Sequence, residues 1–402
     1  IMDFNFSKES LELQDKLKTF FVDHIYPNED HYENAIIDSG DPLHIPEILS
    51  ELKSKAKKKN LWNLFLPDNE YGYGLSNVDY APLAEITGHN WWAPEVFNCS
   101  APDTGNMEIL AEFGTSEQKK QWLEPLLEGE IRSCFAMTEP NVASSDATNI
   151  GSSIVSDGDN YVINGRKWWT SNAINPNAKI CIFMGVTNPD SPPYQRQSQV
   201  LVPMDSEGLS IIRPMQVFGY DDGYTGHPEL LFDNVVVPKS NIIGGEGMGF
   251  KIAQARLGPG RIHHCMRAIG MAERALSLMI DRSLERETFG QKLAEQGVIQ
   301  DWIARSRIKI EEARLLTLKT AWLIDTVGKE EAKIEISSIK VSVVEAASYV
   351  IDKAIQTHGA MGLSQDTPLA RMSAGARVLR IADGPDEVHL RSIARREINK
   401  HR

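Results

Sequence analysis

Residues 161–172 read Y-V-I-N-G-R-K-W-W-T-S-N, and this stretch is the starting point for the fold. Its first residues, Tyr161-Val162-Ile163, have the aromatic and β-branched composition of a strand, and Asn164-Gly165 is a strong hairpin signal. Similar short β-rich runs, separated by Pro and Gly, extend from about residue 132 to residue 245. We therefore predict a hairpin at Asn164-Gly165 within a compact antiparallel β domain.

Segments with helical periodicity flank this β-rich region on both sides. Apolar residues recur at intervals close to 3.6 in residues 7–21, 45–56, 78–87, 261–285, 299–326 and 334–358. Thr115 to Gln118 adds a helix-start signal, because a Ser or Thr is followed by Glu and Gln. The last three periodic segments are long, which is typical of an antiparallel helical bundle. No predicted strand leads into a G-x-G-x-x-G turn, so a Rossmann fold is not expected.

The order of helices, sheet and helices predicts an α+β multidomain protein. We expect an N-terminal α domain over residues 1–131, a middle β domain over 132–246 and a C-terminal α-helical bundle over 247–402. The length of 402 residues agrees with several domains, because single cores rarely grow so large.

Charge and hydropathy narrow the classes of partner. Lys and Arg number 42 against 55 Asp and Glu, a net charge of −13, so a general nucleic-acid binder with a basic face is not expected. An anionic small ligand is compatible with this net charge, since local arginines and helix N-termini can supply positive charge at its site. No apolar run approaches the roughly 18–20 residues that a membrane span needs, so we predict no span.

The cysteines and the first residues bear on the cellular compartment. The four cysteines lie far apart without a C-x-x-C pair, which predicts reduced, buried thiols. Ile1-Met2-Asp3-Phe4 lacks the basic, apolar and small-residue order of a signal peptide, so we expect no targeting segment there. The expected location is cytoplasmic in a bacterium and mitochondrial or peroxisomal in a eukaryote.

Three stretches combine residue types that are unusual in purely structural segments. They are Met137-Thr138-Glu139-Pro140 with Ser144-Ser145-Asp146, the run 164–172, and Ala382-Asp383-Gly384-Pro385-Asp386-Glu387-Val388-His389. The adjacent tryptophans and hydroxyls in 168–171 fit a flat aromatic ligand, whose ring packs on an indole while hydroxyls bond its polar edge. The same residues are also compatible with a core tryptophan beside a polar turn.

The segment Asp383-Gly384-Pro385 has two interpretations when it is taken alone. It can be a turn before a helix, with the Asp as N-cap and the Pro in the first turn, or it can present a functional carboxylate. His263-His264 is not predicted to bind a metal. Adjacent helical residues point about 100° apart, and no carboxylate lies at ligand spacing.

Taken together, these stretches resemble the acyl-CoA dehydrogenase family across essentially the whole chain. The matching phrases are T-E-P at Thr138, I-N-G-x-K-x-W at 163–169, E-R-x-T-F-G at 285–290 and Q-x-x-G at 356–359. Residues 101–108, 256–267 and 382–389 look closest to the member 10 and 11 branch of that family, without a kinase-like extension. The resemblance implies an α domain, a β-barrel-like domain and a C-terminal four-helix bundle.

The resemblance also implies a bound FAD and assigns residues to it. Family flavins lie between the β domain and the C-terminal bundle, and Met137 and Thr138 would approach the isoalloxazine ring. Trp169 would pack against that ring, and Ser171 stands where the family usually has a Thr on the flavin N5 side. Ser145 would contact the pyrophosphate. Arg286, Phe289, Gln356 and Gly359 match positions that hold the ADP half, usually of a neighbouring subunit's flavin, which implies a homodimer or homotetramer.

The catalytic base is the position where this sequence departs from most relatives. Most relatives carry Glu just before the Gly of this segment, and here the residue is Asp383. Some relatives place a Glu on the helix near Arg261, but the equivalent position here is Gly260. The resemblance therefore leaves Asp383 as the candidate base, with Gly384 and Arg261 near the substrate.

The implied reaction is the α,β-dehydrogenation of an acyl-CoA thioester to a trans-2-enoyl-CoA in fatty acid β-oxidation. Asp383 would remove the α-proton, the flavin N5 would accept the β-hydride, and an electron-transfer flavoprotein would accept the electrons. Small residues around 97–108 favour a medium- to long-chain fatty acyl group. The residues leave open whether that group is hydroxylated or phosphorylated.

Two other functions stay open from the sequence. A flavin oxidase of the same fold, acting on acyl-CoA or nitroalkanes, is compatible with an Asp base. A non-catalytic scaffold with a degenerate site is the other alternative, and the presence of Trp169, Ser171, Arg286 and Asp383 argues against it.

Overall fold

A curled sheet occupies the middle of the chain in the computed structural model, which describes Asp3 and residues 5–402. Its strands are β1 (Arg132–Ala136), β2 (Ser153–Asp157), β3 (Asn160–Lys167), β4 (Ala178–Val186), β5 (Gln197–Pro203), β6 (Leu209–Met215) and β7 (His227–Pro238). They pair in the order β1-β4-β2-β3-β7-β6, and β5 pairs with β4. The expectation about a leader rests largely on Ile1, Met2 and Phe4, which lie outside the described residues.

Helices precede the sheet and follow it, as the sequence predicts. The first set is α1 (Lys8–Phe20), α2 (Glu29–Ser39), α3 (Glu47–Lys58), α4 (Asn77–Thr87), α5 (Ala93–Val96), α6 (Asp103–Phe113), α7 (Ser116–Gln118) and α8 (Glu124–Glu128). The second set is α9 (Gly249–Glu285), α10 (Gly297–Val327), α11 (Lys333–His358), α12 (Leu369–Leu379) and α13 (Asp386–Asn399). A two-residue hairpin between α9 and α10 is formed by β8 (Glu287–Thr288) and β9 (Gln291–Lys292).

The chain divides into two compact units that are each discontinuous in sequence. One, the helical unit, comprises residues 1–26, 74–94 and 260–402, and the other, the sheet unit, comprises 27–73 and 95–259. In the helical unit α11 packs against α10, α12 and α13, and α4 packs against α1 and α10. Gly270 lets α9 approach the end of α4 closely, because a Cβ there would lie 1.8 Å from the carbonyl oxygen of Glu85.

The core of the sheet unit consists of the apolar residues that alternate along the strands. Tyr161 and Ile163 of β3 are buried with Phe183 of β4 and Phe232 of β7, whose ring centroids lie 4.6 Å apart. Cys134 and Cys181 face each other in the β1–β4 pairing, and all four cysteines of the chain are buried, as predicted. Burying one such aromatic or aliphatic side chain contributes about 1.5–3 kcal/mol.

Two local predictions in the sheet unit are wrong. The Asn164-Gly165 pair does not form a hairpin turn, because β3 runs through it and the turn lies at 158–159, between β2 and β3. Gly165 is needed instead for close packing, since a Cβ there would lie 2.1 Å from Ser152 Oγ, and the β3–β7 register shifts at this point. The sheet is also not purely antiparallel, because β1 pairs with β4 in parallel.

Helix starts follow the capping rules where the sequence signals them. Thr115 and Gln118 form a capping box, and the Ser7 hydroxyl accepts the backbone N–H of Ser10 at the start of α1. Of the helices within the described residues, none combines the length and the apolar character that a membrane span requires.

Candidate active site

The end of β3 brings two of the candidate segments together in the sheet unit. Lys167 Nζ donates to the carbonyl oxygen of Met137 at 2.9 Å and to Glu139 Oε1 at 2.8 Å. The backbone N–H of Trp168 donates to the carbonyl oxygen of Thr138 at 3.0 Å. These bonds place the segment 137–139 beside the tryptophan pair.

The Lys167–Glu139 pair is buried and acts as a clamp for this segment. Lys167 is fully buried and also donates to the carbonyl oxygen of Met184 at 2.7 Å. Burial lowers the pKa of Lys167 to about 8, against the opposing effect of Glu139. Burial also acts to raise the pKa of Glu139, but Lys167 brings it below its ordinary value. A buried pair with these hydrogen bonds fixes backbone positions, and breaking it is costly.

Trp169 and Ser171 lie on the turn that follows β3, where Trp169 is exposed and Ser171 is half-buried. Trp169 has a left-handed backbone with φ of 52° and leaves 38% of its surface exposed, which is unusual for such a large apolar side chain. Ser171 Oγ lies 2.7 Å from His227 Nδ1, and the Trp169 and His227 ring centroids are 5.9 Å apart. The turn therefore presents an indole face beside a hydroxyl group.

This set of groups fits an isoalloxazine ring. The exposed indole offers a surface for a flat ring, and the Thr138 and Ser171 hydroxyls offer hydrogen bonds to its polar edge. The buried Thr170 Oγ1 has no hydrogen-bond partner among the described residues. A buried hydroxyl of this kind ordinarily finds a partner, and a bound ligand or water would supply one.

Ser145 lies apart from these contacts. It is exposed in the turn after Pro140, and the neighbouring Ser144 hydroxyl accepts the backbone N–H of Glu139 at 2.9 Å. The contact between Ser145 and a pyrophosphate therefore stays a prediction.

Asp383 lies in the helical unit on a turn between α12 and α13. Asp383 and Gly384 both have left-handed backbones, with φ of 56° and 98°, and α13 begins only at Asp386 with Pro385 as N-cap. The interpretation of Asp383 as a helix cap is therefore wrong. Asp adopts a left-handed backbone more readily than most non-glycine residues, but the conformation is sparsely populated and is stabilised by contacts with its surroundings.

Two side chains hold the Asp383 backbone in this conformation. Arg261 Nε donates to the Asp383 carbonyl oxygen at 3.0 Å, and His389 Nε2 lies 3.2 Å from the same oxygen. Lys340 Nζ donates to the Gly384 carbonyl oxygen at 3.4 Å and also to that of Leu379. The structure thus brings Asp383, Gly384 and Arg261 together, and their roles toward a base or a substrate stay a prediction.

The Asp383 carboxylate has a defined set of neighbours. His264 Nε2 lies 3.3 Å from Asp383 Oδ2, and the carboxylate side chain is about one-fifth exposed, at 20%. A Cβ at Gly260 would lie 3.7 Å from the same oxygen, so the glycine leaves this side of the carboxylate uncrowded. The carboxylate is therefore positioned by a neighbour and still reachable by a ligand.

Two basic side chains lie beside the Asp383 turn, and of these Lys340 is fully buried and Arg261 is half-buried. Burial lowers the pKa of Arg261 and of Lys340, and the Asp383 charge opposes that effect. Burial, with Arg261 and Lys340 nearby, lowers the pKa of His389 to about 4, so this imidazole is neutral at pH 7. Arg261 and Lys340 are therefore the basic groups that lie beside the Asp383 turn.

The residues predicted to hold the ADP half lie on exposed positions of two elements in the helical unit. Arg286 and Phe289 belong to the β8–β9 hairpin region, where Phe289 is 98% exposed. Gln356 and Gly359 lie at the end of α11 and are also exposed. Gly359 has φ of 64° and ψ of −141°, a conformation that only glycine adopts readily.

Some side chains around the candidate residues were not predicted from the sequence, among them His264, His227 and Asp222. The sequence raised His264 only as a metal ligand, although its i,i+3 spacing from Arg261 places both on one helix face. His227 and Asp222 join Ser171 through a loop, with His227 Nε2 at 2.8 Å from Asp222 Oδ2. No spacing rule predicts that second contact, because loop conformation decides it.

Comparison with family models gives three matches along the chain. The N-terminal, middle and C-terminal domains of acyl-CoA dehydrogenase match residues 7–130, 134–235 and 247–398. The probable acyl-CoA dehydrogenase FadE2 of Mycobacterium tuberculosis is 55% identical over 403 residues, covering 100% of this chain and 98% of that protein.

Other relatives are longer than this chain. Acyl-CoA dehydrogenase family member 11 of Homo sapiens is 54% identical over 98% of this chain and 50% of its own length. Member 10 of Mus musculus is 54% identical over 96% of this chain and 37% of its own length. The chain thus spans about half or less of these two relatives.

Solved structures agree with the sequence comparison. A putative acyl-CoA dehydrogenase from Mycobacterium abscessus is 49% identical with a TM-score of 0.96, covering 99% of this chain and 100% of that one. Butyryl-CoA dehydrogenase from Megasphaera elsdenii is 25% identical with a TM-score of 0.83, covering 99% and 100%. The chain therefore belongs to the acyl-CoA dehydrogenase family, whose members are FAD-dependent oxidoreductases of fatty acid metabolism.

Proposed function

We propose that this protein oxidises an acyl-CoA thioester to the trans-2-enoyl-CoA, with Asp383 as the base. The observation that carries the proposal is the Asp383 turn. Its left-handed backbone is held through its carbonyl oxygen by Arg261 and His389, while its carboxylate stays partly exposed. Strained backbone with this much support is typical of functional sites.

Asp383 performs the first chemical step of the proposed reaction. The α-hydrogen of a thioester is weakly acidic, and the Asp383 carboxylate accepts it as a proton. The backbone N–H of Asp383 donates to the thioester oxygen and stabilises the developing enolate. Asp is a weak base in water, where its side chain has a pKa of about 3.9, so exclusion of water by the bound acyl chain must strengthen it.

The flavin-binding residues of the sheet unit hold the redox partner. When bound, FAD supplies the acceptor for the β-hydride. Trp169 would pack against its ring, the Met137–Thr138 segment would line its edge, and the Ser171 hydroxyl would face its N5 side. Lys167 and Glu139 keep that segment in place through the buried bonds described above.

The acyl group is proposed to be a medium- to long-chain fatty acyl group. The support is the sequence of residues 97–108, where Ser100, Ala101, Thr104 and Gly105 have small or polar side chains. The Ser100 hydroxyl nearby accepts a hydrogen bond from Arg132 at 2.9 Å, so this segment also carries polar groups. Anaerobic titration with acyl-CoAs of increasing length reports the preferred chain directly.

An electron-transfer flavoprotein is the proposed electron acceptor. The alternative is an oxidase of the same fold, for which an Asp base would serve equally well. Oxygen consumption that accompanies substrate turnover without any flavoprotein acceptor would favour the oxidase. Turnover that requires the acceptor supports the dehydrogenase.

The test of Asp383 is the change Asp383→Asn, which keeps the size of the side chain and removes its basicity. We expect FAD to stay bound and bleaching of the flavin band by acyl-CoA to fall at least about 10³-fold, within the range that loss of a catalytic base and its positioning produces. Glu387→Gln, an exposed carboxylate at the start of α13, is the matched control and should bleach like the wild type. Full bleaching by Asp383→Asn would exclude Asp383 as the base.

A further inference from the structure

A chain of hydrogen-bonding groups lies behind Ser171 in the sheet unit. Ser171 Oγ is 2.7 Å from His227 Nδ1, and His227 Nε2 is 2.8 Å from Asp222 Oδ2. The His227 and Asp222 side chains are 20% and 23% exposed, so each is mostly shielded from water. Neither residue has a role in the function proposed above.

The backbone holds Ser171 opposite His227 in a fixed register. The N–H of Thr170 donates to the carbonyl oxygen of Pro228 at 3.2 Å, and the N–H of Asn172 donates to that of Gly226 at 2.8 Å. These two bonds flank the Ser171–His227 contact on both sides. Main-chain pairing therefore sets the positions from which the Ser171 hydroxyl and the His227 imidazole meet.

Asp222 is held in place by its own loop. It adopts a left-handed backbone with φ of 57°, which Asp tolerates better than most residues. The Thr225 N–H and hydroxyl both donate to the Asp222 carbonyl oxygen, at 3.1 and 2.8 Å. The carboxylate is thus aimed at His227 by a turn with its own internal bonds.

When His227 is neutral, the chemistry of these groups sets the direction of each hydrogen bond. An ionised carboxylate only accepts, so His227 Nε2 carries the proton that bonds Asp222. In the neutral imidazole Nδ1 then carries a lone pair, and the Ser171 O–H donates to it. The Ser171 oxygen consequently has only lone pairs left for any other partner.

We propose that His227 and Asp222 are positioning residues that make Ser171 a hydrogen-bond acceptor toward the flavin, and so favour the reduced flavin over the oxidised one. This inference rests on the proposed function, in which Ser171 faces the N5 side of the ring. N5 of an oxidised flavin is an acceptor and gains nothing from a second acceptor. In the reduced flavin N5 carries a hydrogen, which the Ser171 oxygen can accept.

The direct test replaces Asp222 with Asn and measures the imidazole and the flavin separately. When the Asn NH2 donates to Nε2, the ring proton lies on Nδ1 and Nδ1 donates to Ser171, whereas an Asn oxygen that accepts from Nε2–H leaves the wild-type tautomer in place. Asn also tolerates a left-handed backbone, so the loop is retained. The matched control is Asp221→Asn, whose carboxylate accepts the N–H of Gly223 at 3.0 Å.

The first readout uses the protein without added FAD. Nitrogen-15 NMR of the ring should show His227 with Nε2 protonated in the wild type and in Asp221→Asn, and with Nδ1 protonated in Asp222→Asn. A wild-type His227 with Nδ1 protonated would overturn the proposed direction of the hydrogen bonds from Ser171 to His227 and from His227 to Asp222.

The second readout is the ratio of the affinities for reduced and oxidised FAD, measured anaerobically and checked by the midpoint potential. A neutral hydrogen bond contributes about 0.5–1.5 kcal/mol, so the ratio should fall roughly 2- to 12-fold in Asp222→Asn and the potential should become more negative. Asp221→Asn should keep the wild-type ratio.

A double-variant cycle separates this role from a structural one. In a Ser171→Ala background the change Asp222→Asn should no longer alter the ratio, because the hydroxyl that transmits the effect is absent. An Asp222→Asn variant that changes the His227 tautomer without changing the ratio would overturn the inference. Wild-type protein that binds no FAD would instead overturn the proposed function. The NMR readout would still decide the direction of the hydrogen bonds that join Ser171, His227 and Asp222.

Discussion

At the scale of single residues, the contact between His264 and Asp383 determines how the proposed base is held. Arg267 Nη2 lies 3.1 Å from His264 Nδ1, and a guanidinium group can only donate. Nδ1 is therefore the acceptor, and the proton of the imidazole is on Nε2, which lies 3.3 Å from Asp383 Oδ2. His264 consequently donates to the carboxylate and stabilises its ionised form.

The first residue-scale prediction concerns the pH profile of His264→Ala. Loss of a donor to the carboxylate should move the acidic limb of kcat/KM to higher pH. A hydrogen bond to a charged group contributes about 1.5 kcal/mol at the low end of its range, which corresponds to roughly one pH unit. Arg261, Lys340 and His389 remain around the turn in this variant.

His264→Gln is the matched variant for this test. Its amide nitrogen can still donate toward Asp383, so its acidic limb should lie close to that of the wild type. Stopped-flow bleaching across pH 5 to 8 gives both profiles. If the Ala and Gln variants share the wild-type limb, His264 does not act on the base.

The candidate residues could be predicted from the sequence only in part. Asp383, Gly384 and Arg261 were found through the phrases that they share with the family, and the structure brings them together. His264 and His227 were not found, because each acts through a contact that depends on a strained turn. The turns at Asp383 and Asp222 both have positive φ on a non-glycine residue, and composition gives no sign of that.

At the scale of elements, periodicity predicted the helices well and the strand turns poorly. The segment 334–358 was predicted as helix and is α11, because its apolar residues recur along a face that is buried. The Asn164-Gly165 signal failed because packing against Ser152 required a glycine inside a strand. Local turn propensity and tight packing both select glycine, and sequence alone does not distinguish them.

Helix α13 carries a titratable group whose burial links folding to pH. His389 is 2% exposed and its pKa is lowered to about 4 by burial and by the nearby Arg261 and Lys340. The pKa of an unperturbed histidine is about 6.5. Between these values the unfolded chain binds a proton that the folded chain does not, so stability is full above pH 6.5 and falls as the pH drops toward 4.

The element-scale prediction is that His389→Gln weakens this dependence. Glutamine keeps an amide donor for the Asp383 carbonyl oxygen but does not titrate. The unfolding free energy of the wild type should fall more steeply from pH 6.5 to 4.5 than that of the variant, by at most about 1.4 kcal/mol per pH unit. Urea unfolding at several pH values measures both slopes.

The control for this prediction is His401→Gln, at an exposed position near the C-terminal end of the chain. It should retain the wild-type slope. His263 is also buried and His89 is half-buried, and their pKa values are lowered to about 3 and about 4, mainly by burial. These two histidines should leave part of the acid sensitivity in the His389→Gln variant. Equal slopes of unfolding free energy against pH for that variant and the wild type would contradict the assignment to His389.

At the scale of the whole molecule, the order of helices and sheet was predictable, but the grouping into compact units was not. Residues 1–26 and 74–94 belong to the helical unit, whereas 27–73 belongs to the sheet unit. The backbone N–H groups of Asn77 and Val78 donate to the Asp325 carboxylate at 2.9 Å each, which ties α4 to α10. Such long-range contacts are set by tertiary packing and leave no periodic signal in the sequence.

The β8–β9 hairpin presents an apolar side chain that its own unit does not cover. Phe289 and Gly290 form the two-residue turn, with φ of 50° and 80°, and the Phe289 ring is 98% exposed. A phenylalanine in this conformation is strained, and full exposure gives no compensating burial. This cost favours the family-based proposal that Phe289 contacts the flavin of a neighbouring subunit.

The whole-molecule prediction compares two phenylalanines in similar turns. Phe218 and Gly219 form another Phe-Gly turn with positive φ, and Phe218 is 75% exposed. Phe289→Asp should lower FAD retention at least about tenfold, because burying a Phe side chain is worth about 1.5–3 kcal/mol, and should shift the oligomer toward monomer. Phe218→Asp carries the same charge change and should leave both properties unchanged. Sedimentation analysis measures the oligomeric state, and the ratio of flavin to protein after gel filtration measures FAD retention. Equal losses in the two variants would show that Phe289 has no special role in assembly.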